Sequence, residues 1–213
     1  MSRQARLPRP FGRSLALRRP PLCSEIGLWL IAEDVDLEAG CRELHEGESP
    51  PYWAFCWGSG QALARFLLDH PAEARGRRVV DFGCGSGVAG IAAGMTGARE
   101  VVAVDVDPTA RAAAAANAAL NGLAPGIFRS ASRVPDDWDL LLASDVLYEA
   151  SLRPVVEVFR RDAAARGATV LAGEPQRPGN PGHPDLAVAE YAVRTLPDVD
   201  SPTVAAKIYR LSG

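Results

Sequence analysis

Apolar residues along the chain fall into short blocks, none of them approaching the length of a membrane span. Between positions 61 and 68, Ala62, Leu63, Phe66 and Leu67 recur at helical spacing, which predicts a helix with one buried face. Beyond it the blocks become regular. Val79-Val80-Asp81-Phe82 predicts a strand feeding a glycine-rich turn, and the small residues of 88–95 predict a helix. A second strand follows at 101–104, then an alanine-rich helix over 109–120 that ends at Asn121-Gly122. Ile127-Phe128 reads as a weak third strand, 140–143 as a fourth, 155–165 as a helix and 169–172 as a fifth strand. Continuous apolar strands alternating with helices predict an α/β fold with a parallel sheet and right-handed crossovers. The tail breaks that rhythm. Residues 191–196 and 204–211 read as two strands joined by a Pro/Asp loop without a helix, which fits an antiparallel pair at the sheet's end.

Upstream of this core the chain has a different texture. Residues 1–22 read as a mobile basic arm, and 24–49 as an acidic segment around the apolar stretch 26–31, a strand or short helix packed on the main body. Pro50-Pro51 ends that segment. The expected organisation is therefore an extension over 1–49 and a single domain over 50–213.

Composition sharpens this picture at three points. The 213 residues are 47% apolar and 23% charged, proportions of a globular protein with enough chain for a core. The net charge of −3 conceals an asymmetry: Arg3, Arg6, Arg9, Arg13, Arg18 and Arg19 stand without an acid among residues 1–22, leaving 17 bases against 26 acids elsewhere. Such an acidic body argues against a nucleic-acid surface built on bulk charge. Lys207 is the only lysine beside 22 arginines, a bias expected of GC-rich bacterial coding. Cys23, Cys41, Cys56 and Cys84 are widely spaced and His45, His70 and His183 are scattered, so neither a disulfide scaffold nor a metal site is expected. Reduced thiols point to the cytoplasm. Pro8, Pro10, Pro20 and Pro21 break the amphipathic helix that a transit peptide would need.

The strongest chemical signal is Asp81-Phe82-Gly83-Cys84-Gly85-Ser86-Gly87, between a strand and a helix. Glycines there let the backbone approach a ligand, and the helix start offers unpaired N–H groups. No lysine follows, which excludes a nucleoside-triphosphate P-loop, and Val88 stands where a dinucleotide fingerprint needs glycine. An acid two residues before the first glycine is awkward beside a pyrophosphate and suits a cation, such as the amino group of S-adenosylmethionine. Asp105 ends the second strand, placed to accept two ribose hydroxyls. Asp107 precedes Pro108-Thr109 and reads as a helix cap.

Together these residues resemble the class I S-adenosylmethionine-dependent methyltransferases over residues 50 to the end. That resemblance implies a Rossmann-like seven-stranded sheet of order 3-2-1-4-5-7-6, its last pair antiparallel, flanked by helices. It puts the cofactor on Asp81, Gly83, Gly85, Gly87 and Asp105, with Ser130 where an adenine contact normally comes. No Asp or Asn stands there, so backbone groups are expected to carry that recognition. Three further stretches narrow the likeness: Pro51-Tyr52-Trp53-Ala54-Phe55-Cys56-Trp57 with Gly60-Gln61-Ala62-Leu63, Ser144-Asp145-Val146-Leu147-Tyr148, and Gly173-Glu174-Pro175-Gln176-Arg177-Pro178. The set is most similar to the electron-transfer flavoprotein β-subunit lysine methyltransferases, which implies methylation of lysine on a protein partner. Asp145 is then expected to orient the incoming amine, Tyr148 to contact it or shape the channel, and Glu174 to hold amine or substrate backbone. Trp53 and Trp57 are candidates to wall the site, with Trp57 favoured by the resemblance. Asn117 and Asn121 are adequately explained by solvation and capping. Two rivals stay open from the sequence: an N-methyltransferase of a small pyridine-type amine, and a non-catalytic protein that binds the cofactor.

Overall fold

The computed structural model describes residues 13–44, 50–145, 152–176, 186–197 and 203–212. The chain opens with a hairpin, β1 (Leu15–Arg18) and β2 (Leu28–Ile31), followed by helix α1 (Leu37–Leu44). The core then runs α2 (Gly58–Asp69), β3 (Arg78–Phe82), α3 (Val88–Met95), β4 (Glu100–Val104), α4 (Pro108–Leu120), β5 (Phe128–Ala131), β6 (Leu140–Ser144), α5 (Arg153–Arg166), β7 (Thr169–Pro175), β8 (Ala187–Val193) and β9 (Val204–Ser212). Seven strands form one sheet in the order β5-β4-β3-β6-β7-β9-β8. Counted from β3 this is 3-2-1-4-5-7-6. β3 to β7 are parallel, and β9 runs antiparallel to both β7 and β8.

Alternation within the buried strands divides the core into two layers. Val79, Leu140 and Leu142 face one side, packed with α2, α3 and the α4 residues Ala114 and Ala118. Val80, Leu141 and Ala143 face the other, against Val156 and Ala163 of α5 and the ring of Trp138. The small residues of α3 let it lie close to its neighbours: a Cβ on Gly94 would stand 2.7 Å from Leu123, and one on Gly90 2.8 Å from the Asp81 carboxylate. β8 begins four residues earlier than its apolar pattern indicates, because Ala187–Glu190 lies at the sheet's edge and is largely exposed. β7 continues through Glu174 and Pro175, all of it buried between β6 and β9.

The stretch 26–31 packs on the main body as expected, and β1 beside it is the main departure from expectation. Residues 15–18, placed above in a mobile arm, form a ladder strand, and Cys23, Ile26, Leu28 and Leu30 enter the same core layer as α2 and α3. Two asparagines hold the hairpin there. Asn121 Oδ1 accepts from Gly27 N at 2.9 Å while its Nδ2 donates to Gly27 O at 2.7 Å. Asn117, 1% exposed, accepts from Trp29 N at 2.8 Å and donates to Ser86 O at 2.9 Å. Their expected role in solvation and capping is therefore incomplete: both side chains substitute for a strand partner along the free edge of β2.

Candidate functional site

Parallel strands put their carboxyl ends on one edge of the sheet, where open α/β folds bind ligands. β3, β4, β6 and β7 bring the glycine loop, Asp105, Asp145 and Glu174 to that edge. Gly83, Gly85 and Gly87 all have positive φ, at 69°, 48° and 82°. A Cβ on Gly87 would stand 3.0 Å from Ala114, so this turn is pressed onto α4. A Cβ on Gly85 would meet nothing closer than Trp53 Cα at 3.9 Å, and so would project into the space between the loop and the lead-in segment. Val104 O accepts from both Gly83 N and Cys84 N, fastening the loop to β4.

Asp105 extends that fastening. Its Oδ2 accepts from Gly85 N at 3.1 Å and its Oδ1 from Asp107 N at 3.0 Å. Each carboxylate oxygen has a second lone pair, so the acid that shapes the loop can also accept two vicinal hydroxyls. Asp107 caps α4 by accepting from Thr109 N at 2.7 Å, as its sequence context indicates. Val106 between them is 92% exposed, an apolar surface beside the candidate ribose ligand that the sequence reading did not single out. Ser130 pairs with Ala103 near the end of β5 and is exposed.

Asp81 sits deeper than the sequence suggests. It is 2% exposed and accepts from Gly90 N at 2.9 Å, which joins β3 to α3 behind the loop. Burial raises its pKa from 3.8 to about 7, the Gly90 N–H opposes the rise, and the charge of Asp105 adds to it. A neutral acid of this kind ionises readily once a cation stands nearby. Cys84 in the same loop is no nucleophile: burial, then the charges of Asp81 and Asp105, push its thiol far up. The donor set is thus two carboxylates, left-handed glycines and a helix start. It fits a ligand carrying an ammonium group and a ribose, as S-adenosylmethionine does.

Asp145 follows β6 with φ 53°, alone among the described non-glycine residues in having positive φ. Its N–H donates to Gly173 O of β7 at 3.1 Å, and its Oδ2 accepts from Ser59 Oγ at the start of α2. Left-handed backbone in a residue with a side chain concentrates at functional sites. Glu174 lies one residue beyond Gly173, the register partner of Ser144, and is 1% exposed. Asp145 and Glu174 thus stand at the ends of neighbouring strands on the same sheet edge, while Tyr148 lies outside the described residues.

The lead-in closes the near side. Trp57 precedes α2, donates from Nε1 to Tyr52 O at 3.1 Å, and packs its ring against Tyr52 and Phe55 at centroid distances of 6.0 and 5.6 Å. Trp53 instead points into a buried cluster with Ile31, Leu44 and Ala110. Cys56 and Leu196 exchange backbone hydrogen bonds of 2.7 and 2.9 Å, which ties the lead-in to the tail. Gln61 reinforces the tie by donating to Cys56 O and Arg194 O. Ser59, which bonds Asp145 across 86 residues, is a site residue that local sequence does not reveal. Its only signal was a hydroxyl between two glycines at the mouth of an apolar helix.

Comparisons with known proteins agree with this geometry. The sequence pattern of the ribosomal protein L11 methyltransferase (PrmA) family matches residues 61–173. The electron transfer flavoprotein beta subunit lysine methyltransferase of Xenopus laevis is 41% identical over 181 residues, covering 81% of this chain and 73% of the relative. The Danio rerio protein of the same name is 42% identical over 131 residues, 60% of this chain and 51% of its own length. These relatives are animal proteins and give no support to the bacterial source expected from the arginine bias. A putative S-adenosylmethionine-dependent methyltransferase of Streptococcus mutans shares the fold with a TM-score of 0.60 at 12% identity, covering 93% of this chain and 56% of that one. The chain uses S-adenosylmethionine as methyl donor and belongs to the family of the electron transfer flavoprotein beta subunit lysine methyltransferases.

Proposed function

We propose that this methyltransferase modifies lysine side chains of the electron transfer flavoprotein β subunit, with Asp145 receiving the amine. The observation that carries the reading is the left-handed Asp145 at the end of β6, one strand away from the glycine loop, with its carboxylate held by Ser59. The donor, when bound, supplies an electrophilic methyl group on sulfur. Everything else falls to the chain. A lysine nucleophile must first give a proton to water, since its reference pKa is about 10.4. As its nitrogen bonds the methyl carbon, the pair of the broken carbon–sulfur bond stays on sulfur, leaving a neutral thioether. The Asp145 carboxylate accepts a hydrogen bond from the amine and aims its lone pair along the transfer axis. Once the nitrogen has become a methylated ammonium, Asp145 and Glu174 face the new positive charge. Tyr148, three residues beyond Asp145 in sequence, is assigned contact with the amine on the family resemblance alone.

Alignment supplies much of the acceleration in such a displacement, and water must be kept from the site. Trp57 with its aromatic neighbours forms a wall suited to both tasks, because aromatic faces also attract ammonium groups. Asp105 holds the ribose, Asp81 compensates the donor's amino group, and Val106 and the neighbourhood of Ser130 flank the base. We place the reaction in the cytoplasm, on a protein and not on nucleic acid. Four free thiols, three of them buried, and the acidic body support that reading. Among the described residues no helix is long and apolar enough to cross a membrane. The basic residues before the hairpin are assigned to partner docking.

The test is incubation with labelled S-adenosylmethionine and either purified flavoprotein β subunit or whole lysate, followed by mass spectrometry of labelled bands. Methyllysine in the β subunit supports the proposal. Label confined to small molecules transfers the chain to amine metabolism and removes the protein substrate.

A further inference from the structure

We infer that Ser59 is a positioning residue for methyl transfer, fixing the Asp145 carboxylate in the orientation that receives the lysine amine; this rests on the reading that Asp145 contacts the acceptor. Ser59 is 1% exposed, so its hydroxyl cannot exchange a lost partner for bulk water. It donates to Asp145 Oδ2 across 86 residues of chain. The helix start that carries it is wedged in place. A Cβ on Gly58 would stand 2.7 Å from Val193 of β8, and one on Gly60 3.1 Å from Val88 of α3. The carbonyl of Ser59 lies 2.8 Å from where a Cβ on Gly173 would be, and Gly173 O in turn accepts from Asp145 N. The first turn of α2, the end of β6 and the end of β7 thus meet around one glycine.

Asp145 occupies a backbone region that residues with side chains rarely adopt. Its main chain is held by Gly173 and its side chain by Ser59. Removing the hydroxyl leaves the helix packing and main chain in place but takes from the carboxylate the hydrogen bond that fixes Oδ2, widening its range of rotamers. The consequence belongs to alignment, and so to kcat. Sequence alone does not mark Ser59, because the contact exists only once α2 crosses the carboxyl edge of the sheet.

The experiment compares wild type, Ser59→Ala, the near-isosteric weak donor Ser59→Cys, Asp145→Ala and the Ser59→Ala/Asp145→Ala double variant, all in the full chain. Turnover is followed on whichever protein the wild type labels, with Kd for S-adenosylmethionine and Tm measured alongside. Ser59→Ala is expected to lower kcat about tenfold, equivalent to about 1.4 kcal/mol, with cofactor Kd and acceptor KM little changed. The double variant should be no slower than Asp145→Ala alone. If Ser59→Ala lowers Tm, the Cys variant must show the same kcat loss at wild-type Tm. Wild-type kcat in both variants, or full multiplication of the two losses in the double variant, overturns the inference while leaving Asp145 in the site. A fully active Asp145→Ala, or a wild type that labels no protein, overturns the underlying reading and this inference with it.

Discussion

Asp81→Asn tests the physics of the site without requiring a substrate. The wild-type carboxyl is buried between β3 and α3 with its pKa raised to about 7 from 3.8. A raised acid contributes its full stability below pH 4 and loses it as pH climbs through 7, because the folded state holds a proton that the unfolded chain has released. The slope between the two pKa values is about −1.4 kcal/mol per pH unit. From pH 5 to pH 7 the wild type therefore loses about 2 kcal/mol through this group, and the cost approaches about 4 kcal/mol above pH 8. Asparagine keeps a carbonyl for the Gly90 N–H and carries no charge at any of these pH values. Its extra donors add an offset that does not vary with pH. The measurement is urea unfolding of both proteins at pH 5, 6, 7 and 8, reading the difference in ΔG. The difference must move by about 2 kcal/mol in favour of Asn between pH 5 and 7. A flat difference, or one running the other way, would falsify the assignment of a neutral Asp81 at acidic pH.

The same acid makes cofactor binding release a proton: calorimetry at pH 6.5 in buffers of different ionisation enthalpy should detect it in the wild type and not in Asp81→Asn. Asp145→Ala should bind S-adenosylmethionine normally and transfer methyl at least about 100-fold more slowly; full activity removes Asp145 from the site. Gly87→Ala forces a Cβ to 3.0 Å from Ala114 at a φ of 82°, and should lower stability by about 1–3 kcal/mol and weaken cofactor binding, with unchanged Tm as the refuting result. Asn117→Ala strands Trp29 N and Ser86 O, which should cost about 2–4 kcal/mol in denaturant unfolding and open residues 13–31 to proteolysis. Removal of residues 1–12, stopping short of β1, should lower kcat/KM on the protein acceptor while sparing cofactor Kd; an unchanged kcat/KM ends the docking role of the arm.

The parallel core was legible because buried strands are written as uninterrupted apolar runs, and Val79-Val80, Val101-Val102 and Leu140-Leu141-Leu142 are such runs. Asp107 was legible because an Asx cap is a local event. The exposed first half of β8 was not, since an edge strand with one solvated face carries little hydrophobic signal. Nor was β1, four residues ending in Arg18, which becomes a strand by pairing with β2. At the site, strand-end acids announced themselves by position, but their second partners did not. Ser59 reaches Asp145 and Asn117 reaches Trp29 across 86 and 88 residues, separations that no local pattern encodes.

The Asn117 amide has a consequence for the order in which the molecule assembles. It joins Trp29 and Ser86 through one side chain, so the turn that receives the cofactor and the first hairpin share a single keystone that emerges after both. During synthesis the hairpin leaves the ribosome about 90 residues before the helix that completes its edge. The glycine turn likewise waits for α4 to supply its backing at Gly87. Binding competence therefore waits on α4, and ligand added during refolding should report the docking of the hairpin as well as the closing of the core.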